Sequence, residues 1–180
     1  MLIKREDCCL LVIDVQARLL PAVYDPDRVA EQCRRLLEAA RDTGVPVLVS
    51  EHYPQGIGHT ADALGDLIAP ETVMEKIHFS CFAEPSARQR IRAAGKQTLV
   101  LAGMEAHVCL GQTALDLNAS GYRVVVCSDA TASRTRLDHE VALCRLAQDG
   151  AEIVTTADVL GAWRGDAVRP AGAVHLERMQ

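Results

Sequence analysis

The sequence predicts an α/β fold in which helices cover both faces of a mostly parallel, six-stranded sheet. Short apolar runs alternate with stretches of helical periodicity, and short connections marked by glycine join them. Such alternation indicates βαβ units with parallel strands. The 180 residues contain no internal repeat and no linker long enough to separate domains, so we expect one domain, 1–180, with its core at about 8–163.

The first βα unit shows the pattern most clearly. Cys8–Ile13 is continuously apolar, which predicts a strand buried on both faces. Asp25 followed by Pro26 predicts an N-cap and the first position of a helix, and Gly44 predicts its end. Further strands are predicted at 45–49, 72–74, 97–102, 122–127 and 152–155, and further helices at 61–68, 84–94, 106–119, 138–148 and 157–163. The tail, 165–180, is weakly patterned, and we expect it to be loose or to pack on a partner subunit.

Composition and charge exclude several classes of protein. Hydrophobic residues make up 49% of the chain and charged residues 24%, as in a soluble globular domain and unlike a disordered chain. Lys and Arg number 19 against 24 Asp and Glu, which gives a formal net charge of −5. Because nucleic-acid affinity depends on Lys and Arg that neutralise phosphates, an acidic chain without a basic run predicts no nucleic-acid partner.

The amino-terminal segment and the cysteines indicate a cytoplasmic protein without membrane association. Residues 1–7 carry charges of both signs, and the apolar run that follows is shorter than the about 7–15 residues of a signal peptide. The seven cysteines are odd in number and form no Cys-x-x-Cys pair. Most lie in apolar runs, which predicts reduced thiols that pack as small hydrophobic groups at Cys8, Cys9, Cys33, Cys127 and Cys144.

Three reactive residues follow three different strands of the predicted sheet. Asp14 comes directly after the first strand, Lys76 follows the third, and Cys109 lies after the fourth, in the first turn of a helix. Because the carboxyl ends of parallel strands meet at one edge of a sheet, we expect these side chains to converge there. A carboxylate, a cation and a thiol are the parts of an activated cysteine nucleophile.

Each of these residues has a chemical role in this hypothesis. Only a thiolate attacks, so Asp14 would take the proton of Cys109, while Lys76 and the helix N-terminus would stabilise the anion. A tight turn at Gly103 would direct backbone N–H groups at a developing oxyanion. Taken singly, Asp14 is equally well a turn cap, Lys76 a solvated lysine and Cys109 a core residue. His107 is interpreted as a pocket-lining or structural histidine rather than as a general base.

Two further patterns are weaker. Residues 56–61 read Gly-Ile-Gly-His-Thr-Ala and match the G-x-G-x-x-G/A dinucleotide fingerprint, but they follow the second strand, and Pro54 separates the two. A glycine loop that lines the pocket is the better explanation, with nucleotide binding as the alternative. The histidines show no metal-ligand spacing: Glu51 and His52 are adjacent, and His59 lies in a loop with no evident reason to return, so we expect no metal.

The order of these motifs resembles the isochorismatase-like cysteine hydrolases, a family that includes nicotinamidases and N-carbamoylsarcosine amidohydrolase. The resemblance runs from about Cys8 to Trp163. It rests on Leu11-Val12-Ile13-Asp14-Val15-Gln16, on Glu75-Lys76 and on Gly103-Met104-Glu105-Ala106-His107-Val108-Cys109. Within the family, the segment Glu51-His52-Tyr53-Pro54 is most similar to the isochorismatase domain-containing hydrolases.

The resemblance implies a three-layer α/β/α fold with a catalytic triad of Cys109, Asp14 and Lys76. It also implies a cis peptide between Met104 and Glu105, with the amides of Glu105 and Cys109 as the oxyanion hole. The presence of Cys109 argues against hydrolysis of isochorismate, because true isochorismatases lack the nucleophilic cysteine. The Asp-x-His metal motif of nicotinamidases is missing after the second strand, which argues against nicotinamide as the substrate.

These features predict a cysteine hydrolase that cleaves a small amide, carbamoyl or similar C–N bond through a thioester. We expect it to need no metal and no cofactor, to bind a small-molecule substrate and to form a homo-oligomer, either a dimer or a tetramer. The alternatives are a nicotinamidase-like amidase and a catalytically silent protein of the same fold that acts as an oligomeric binding protein or thiol sensor. The residues expected to bind substrate are Gln16, His52, Phe79, Phe82 and His107.

Overall fold

The computed structural model describes residues 3–165 and has the predicted α/β architecture. The strands are β1 Cys8–Ile13, β2 Val47–His52, β3 Val73–Lys76, β4 Thr98–Met104, β5 Arg123–Ala132 and β6 Glu152–Val154. The helices of this part of the chain are α1 Pro26–Thr43, α2 Pro54–Ile57, α3 Asp62–Gly65, α4 Pro85–Ala93, α5 Cys109–Ala119, α6 Arg136–Gln148 and α7 Thr156–Arg164. The strands form one parallel sheet in the order β3-β2-β1-β4-β5-β6.

Alternate residues of the central strand enter two separate cores. Leu10 and Val12 pack on the side of α1 and α7, whereas Leu11 and Ile13 pack on the side of α4, α5 and α6. Every residue of β1 is buried, as its continuous apolar run predicts. Helices cover both faces of the sheet, so the predicted three-layer arrangement with six parallel strands is confirmed.

All of the predicted strands and helices are present, although several of their ends differ. β2 continues to His52, beyond the predicted end at 49, and Lys76 is the last residue of β3 rather than a residue after it. Helix α5 begins at Cys109, later than the predicted 106. Polar residues such as Ser50 extend β2 because their side chains find partners inside the fold, which hydropathy does not show.

The two ends of α1 differ in how well the sequence predicts them. Gly44 ends the helix in the left-handed conformation with φ 73°, as predicted. Asp25 occupies the N-cap position but makes no capping hydrogen bond. Its carboxylate instead pairs with Arg28, at 3.0 Å from Nε, so the predicted N-cap position is confirmed although the side chain does not cap the helix. The predicted tail lies outside the described residues except for Gly165, and no helix within 3–165 is long and apolar enough to cross a membrane.

The cysteines are free thiols, and all but one are buried. Cys144 is the exception, because it is exposed on α6 and does not pack as the predicted small hydrophobic residue. Burial raises the pKa of both Cys9 and Cys33 to about 12. The interior therefore holds its cysteines as neutral thiols at physiological pH.

Gly103 does not form the predicted turn. It lies within β4, opposite Ile13 of β1, and its φ is 111°. A β-carbon at this position would collide with the backbone of Ile13. Gly103 thus allows β1 and β4 to approach closely. The approach lies one residue before Asp14 at the end of β1 and two residues before Glu105 at the end of β4.

We expect Gly103→Ala to lower the free energy of unfolding by about 3 kcal/mol, because the new methyl group meets backbone atoms and the positive φ disfavours any side chain. Gly65→Ala is the control, since a β-carbon there meets open space in α3. The control should change stability by less than about 1 kcal/mol. Urea unfolding at pH 7 measures both, and equal effects would contradict the close approach of β1 and β4.

The buried thiols predict a loss of stability at alkaline pH. In the unfolded chain a thiol ionises near its ordinary pKa of 9.0, whereas the folded protein keeps Cys9 and Cys33 protonated up to about 12. The folded state therefore binds more protons above pH 9, and each such thiol lowers the free energy of unfolding by up to about 1.4 kcal/mol per pH unit. Urea unfolding under reducing conditions between pH 7 and pH 10 should show this decline. Cys33→Ala should make it shallower, and a flat profile would contradict it.

Candidate active site

Asp14 and Lys76 form a buried ion pair at the carboxyl edge of the sheet. Lys76 Nζ lies 2.7 Å from Asp14 Oδ2, and both side chains are 0% exposed. Asp14 follows β1 and Lys76 ends β3, so the lysine side chain crosses the end of β2 to reach the carboxylate. Burial alone would lower the pKa of Lys76, but the surrounding negative groups, Asp14 first, raise it overall. Lys76 is therefore a permanent cation at neutral pH.

The second oxygen of Asp14 is held by Ser50, a residue that the sequence analysis did not identify. Ser50 Oγ donates a hydrogen bond to Asp14 Oδ1 at 2.7 Å, and Asp14 N donates to Ser50 O at 3.0 Å. Ser50 is fully buried in β2. Together, Ser50 and Lys76 engage both carboxylate oxygens and fix the orientation of Asp14. The only feature of the sequence that points to Ser50 is that it is a polar residue directly after a buried apolar run.

Cys109 completes the group at the first residue of α5. Its thiol responds to the charges of Asp14 and Lys76, and the residue is 6% exposed. Burial, and then the charge of Asp14, raise the pKa of Cys109, whereas the charge of Lys76 opposes this rise. The net shift is upward, so the resting residue is a thiol. The structure thus brings together all three residues of the predicted triad.

The loop between β4 and α5 presents two backbone amides next to this thiol. The peptide between Met104 and Glu105 is cis, as the family resemblance implies. The carbonyl of Glu105 accepts hydrogen bonds from Val108 N at 2.9 Å and Leu110 N at 3.2 Å, which bends the chain into α5. Within residues 3–165, no protein group accepts a hydrogen bond from the amides of Glu105 and Cys109. Both N–H groups are therefore without a protein acceptor in this part of the chain.

A second buried thiol, Cys81, belongs to the same network and was not predicted. Thr113 Oγ1 accepts from Cys81 N at 2.9 Å and donates to Cys109 O at 2.7 Å, so one hydroxyl joins the two segments. Burial, and then the charge of Asp14, raise the pKa of Cys81 to about 11. Cys81 is fully buried, whereas Cys109 retains some exposure. No spacing in the sequence relates these two cysteines.

Two of the five predicted substrate-binding residues, His52 and Phe79, lie together beside the ion pair. Their ring centroids are 5.5 Å apart, and His52 is the register partner of Lys76 across β2 and β3. Phe79 is 49% exposed. Burial, and then the charge of Lys76, lower the pKa of His52, so its imidazole is neutral at pH 7. An aromatic and an imidazole ring thus border the approach to Lys76.

Gln16, the third of these residues, binds backbone groups of the protein itself. Its amide nitrogen donates to His52 O at 3.0 Å and Gly58 O at 2.5 Å, and its amide oxygen accepts from His52 N at 2.8 Å. It joins the end of β2 to the glycine segment. That segment forms the short α2 and a loop instead of the start of a crossover helix, which favours the loop interpretation over the dinucleotide fingerprint.

Glu51 holds the loop that carries His59 against the end of β2. This return of the loop to the sheet was not expected from the sequence. The buried carboxylate of Glu51 accepts from Thr60 N at 2.6 Å and Thr60 Oγ1 at 2.7 Å, and lies 2.9 Å from His59 Nδ1. Burial favours the protonated form, but these hydrogen bonds outweigh it and lower the pKa of Glu51. Within 3–165, no three His, Cys, Asp or Glu residues are grouped to hold a metal ion.

The remaining two residues, Phe82 and His107, have side-chain partners outside the triad. Phe82 packs edge-on against Tyr122, with ring centroids 5.8 Å apart, at the amino-terminal end of β5, and its role in substrate binding stays a prediction. His107 Nδ1 lies 2.8 Å from Ser133 Oγ, which matches its interpretation as a structural histidine. It also lines a groove of about 420 Å³ between α5 and α6.

The comparison with known proteins identifies the family. Residues 8–158 match the isochorismatase domain. The chain belongs to the isochorismatase family. Two relatives named isochorismatase domain-containing protein 1 are 37% identical over 163 residues in Salmo salar and 40% identical over 153 residues in Danio rerio. These regions cover 91% and 85% of this chain but 56% and 52% of the relatives, so the chain spans about half the length of these curated relatives.

Solved structures of the isochorismatase fold superpose on this chain. A Caenorhabditis elegans protein described as MAR1 ribonuclease has a TM-score of 0.86 and 32% identity, covering 94% of this chain and 88% of that chain. The Escherichia coli YcaC gene product, described as an octameric hydrolase of unknown specificity, has a TM-score of 0.86 and 24% identity, with coverage of 92% and 85%. The similarity to the Escherichia coli protein shows that the two chains share a fold.

Removal of the Ser50 hydroxyl should destabilise the protein by leaving one oxygen of a buried carboxylate unpaired. We expect Ser50→Ala to lower the free energy of unfolding by about 2–3 kcal/mol at pH 7. Ser128→Ala is the matched control, because the Ser128 hydroxyl donates to the carbonyl of Val154 at 2.9 Å, in a partly buried position. The control should cost about 1 kcal/mol. A Ser50 variant as stable as the control would disprove the hydrogen bond to an ionised Asp14.

Proposed function

We propose that this protein is a cysteine-dependent hydrolase that cleaves a small amide, carbamoyl or similar C–N bond through a thioester. The observation that carries the proposal is the buried ion pair of Asp14 and Lys76, whose charges both act on the buried thiol of Cys109. A base, a cation and a nucleophile in one buried group are what covalent acyl transfer requires. Membership of the isochorismatase family supports the same chemistry.

The protonated state of the nucleophile defines the first step. Because the pKa of Cys109 is raised, its sulfur keeps the proton until a substrate carbonyl is in place. Asp14 then takes the proton as the sulfur attacks the carbonyl carbon. The developing negative charge on the sulfur is offset by Lys76, which stays protonated throughout and serves as a fixed cation rather than as a base.

The remaining steps restore the Cys109 thiol and the Asp14 carboxylate, with a proton from water replacing the one that leaves on the nitrogen. The N–H groups of Glu105 and Cys109 stabilise the oxyanion, and one such donor is typically worth about 2.7–4 kcal/mol of barrier. Asp14 gives its proton to the leaving nitrogen, the C–N bond breaks, and the acyl group stays on Cys109 as a thioester. Water then attacks the thioester carbonyl. Asp14 accepts a proton from this water and passes it to the sulfur as the acid product leaves.

A nicotinamidase-like amidase is the alternative within the same chemistry. Such enzymes carry an Asp-x-His metal motif after the second strand, where this chain has Glu51 and His52. The Glu51 carboxylate is bound by Thr60 and His59, so it anchors a loop. This arrangement favours a substrate that is activated by Lys76 and the amides of Glu105 and Cys109 over one that is activated by a metal ion.

The alternative that is not an enzyme is a catalytically silent protein of the same fold, which acts as an oligomeric binding protein or a thiol sensor. We expect an oligomer in this case and for the hydrolase. We infer a homo-oligomer from the octameric description of the YcaC structure, beside the dimer or tetramer predicted from the sequence. Light scattering would show a particle several times the chain mass of 19.5 kDa. The cytoplasmic location and the absence of a nucleic-acid partner stay predictions.

The triad predicts the effect of three substitutions on turnover. We expect Cys109→Ala to abolish ammonia release from a panel of small amides and carbamoyl compounds, because the attacking sulfur is lost. Asp14→Asn and Lys76→Met should each reduce it by about 10²–10⁴-fold. The exposed Cys144 provides the control, since Cys144→Ala should leave turnover unchanged. Turnover that survives in Cys109→Ala, or cleavage of RNA without release of ammonia from any compound, would refute the proposal.

Activity should also be independent of added metal. Lys76 and the two amides carry the electrostatic stabilisation that a zinc ion would otherwise supply. We therefore expect turnover to survive prolonged treatment with EDTA, and elemental analysis to find no stoichiometric zinc, iron or manganese. Activity that is lost on chelation and restored by zinc or manganese would instead favour the nicotinamidase-like alternative.

A further inference from the structure

Helix α6 exposes a row of apolar side chains on the face that points away from the sheet. Leu137 is 69% exposed and Val141 is 49% exposed, and Cys144 is also exposed. Residues three or four positions apart lie next to each other on a helix, so these three form one row, the outer stripe of α6. The buried residues of the helix lie on the opposite side: His139, Ala142 and Leu146. An apolar row in contact with water indicates a surface that another molecule covers.

The charged residues beside the outer stripe are paired on one flank only. On that flank, Arg136 Nε lies 2.7 Å from Glu140 Oε1 within the helix. On the other flank lie Asp138 and Arg145, about 10 Å apart along the helix and therefore too distant to pair within one chain. One oxygen of Asp138 accepts from Thr135 Oγ1 at 2.7 Å. Within residues 3–165, the other oxygen of Asp138 has no partner, and the Arg145 side chain has no hydrogen bond or ion pair.

The spacing of these residues is that of a helix that pairs with an antiparallel copy of itself. Leu137 lies four residues before Val141, and Cys144 lies three residues after it. Asp138 lies three residues before Val141, and Arg145 lies four residues after it. A two-fold axis at Val141 reverses the direction of the helix and keeps each flank on its own side. It therefore places Leu137 opposite Cys144 of the second copy, and Asp138 opposite Arg145 of the second copy.

We propose that α6 packs antiparallel against α6 of a second copy of this chain, with the two-fold axis at Val141. A second copy is the occupant that these residues select, because it supplies both an apolar stripe and the opposite charge at each position where α6 lacks one. Arg145 also lines the groove of about 420 Å³ between α5 and α6, so the contact can extend into that groove. The inference rests on the homo-oligomer of the proposed function and names its interface, and it is independent of the chemistry at Cys109.

A disulfide across the proposed axis tests this arrangement. Leu137→Cys places a new thiol opposite Cys144 of the second copy, where facing helices bring α-carbons within the about 4.4–6.8 Å that a disulfide spans. Within one chain, positions 137 and 144 are about 10 Å apart along the helix, which is too far for this bond. A disulfide between them therefore joins two copies. The full chain is oxidised mildly with diamide, and non-reducing electrophoresis with peptide mapping identifies the linked positions.

We expect most of the Leu137→Cys protein to become a covalent dimer that is linked between the new thiol and Cys144. Leu137→Cys combined with Cys144→Ala is the matched control, because two new thiols lie about 12 Å apart along the paired helices. The wild-type chain is a second control, since Cys144 and Cys144 of the second copy are about 9 Å apart in the same direction. Neither control should form the dimer in the time in which the first variant does.

Exchange of the two charges tests the pairing without a new covalent bond. Arg145→Asp sets an aspartate against Asp138 of the second copy and should raise the dissociation constant of the dimer by about 5- to 30-fold. Asp138→Arg together with Arg145→Asp exchanges the pair and should return the constant to within about 3-fold of the wild-type value. Arg41→Asp is the matched control, because it makes the same substitution at a side chain of α1 that is 65% exposed. Sedimentation velocity over a series of concentrations measures the constant.

The outcomes distinguish this interface from the homo-oligomer on which it rests. If the chain is an oligomer but Leu137→Cys forms no disulfide with Cys144, the interface at α6 is overturned and the oligomer survives. If the charge exchange fails to restore an association that Arg145→Asp weakens, the pairing of Asp138 with Arg145 is wrong. A chain that stays monomeric at every concentration overturns both. A disulfide in Leu137→Cys alone, with association restored by the charge exchange, establishes the antiparallel interface.

Discussion

The ion pair between Lys76 and Asp14 is the interaction on which the rest of the site depends. Both side chains are completely buried, and burying two charges costs free energy that only close contact and further hydrogen bonds recover. The pair joins the end of β3 to the end of β1 across β2, and Ser50 of β2 binds the remaining carboxylate oxygen. Three adjacent strands are therefore aligned at their carboxyl ends by one carboxylate. A buried pair of this kind is a weak source of stability, which favours a chemical reason for its presence.

The fourth strand brings the proposed nucleophile, Cys109, towards this pair through close backbone packing. Gly103 has no side chain, so β4 can approach the Ile13 backbone of β1, and the chain then passes through Glu105 into α5 at Cys109. The position of the Cys109 sulfur relative to the sheet is thus set by contacts between backbone atoms. Side-chain contacts add to this: Thr113 of α5 ties Cys109 to the segment around Cys81. The thiol is held from both ends of the loop that presents it.

The sequence predicted the fold and the triad more fully than the surroundings of the triad. Continuous apolar runs such as Cys8–Ile13 mark parallel strands, and the rule that ligands lie at strand carboxyl ends then selects Asp14, Lys76 and Cys109. Ser50 and Cys81 were missed because their contacts cross from strand to strand, where no fixed spacing in the chain applies. The contact of Phe82 with Tyr122 was missed for the same reason, since no fixed spacing relates the two residues.

Cys81 and Cys109 lie in the same electrostatic environment, so a comparison of the two shows what distinguishes the proposed nucleophile, Cys109. Cys81 and Cys109 both respond to Asp14 and Lys76, and burial raises the pKa of each. A low resting pKa therefore does not distinguish them. They differ in exposure and in position. Cys109 is 6% exposed and begins α5, where the amides of Glu105 and Cys109 have no protein acceptor within residues 3–165, whereas Cys81 is fully buried. A thiol that loses its proton only when a carbonyl binds resists adventitious oxidation, since oxidation requires the thiolate. In the proposed mechanism, the selectivity between the two thiols therefore depends on the arrangement of the groups around them, because the thiolate of Cys109 forms only when a substrate carbonyl is bound.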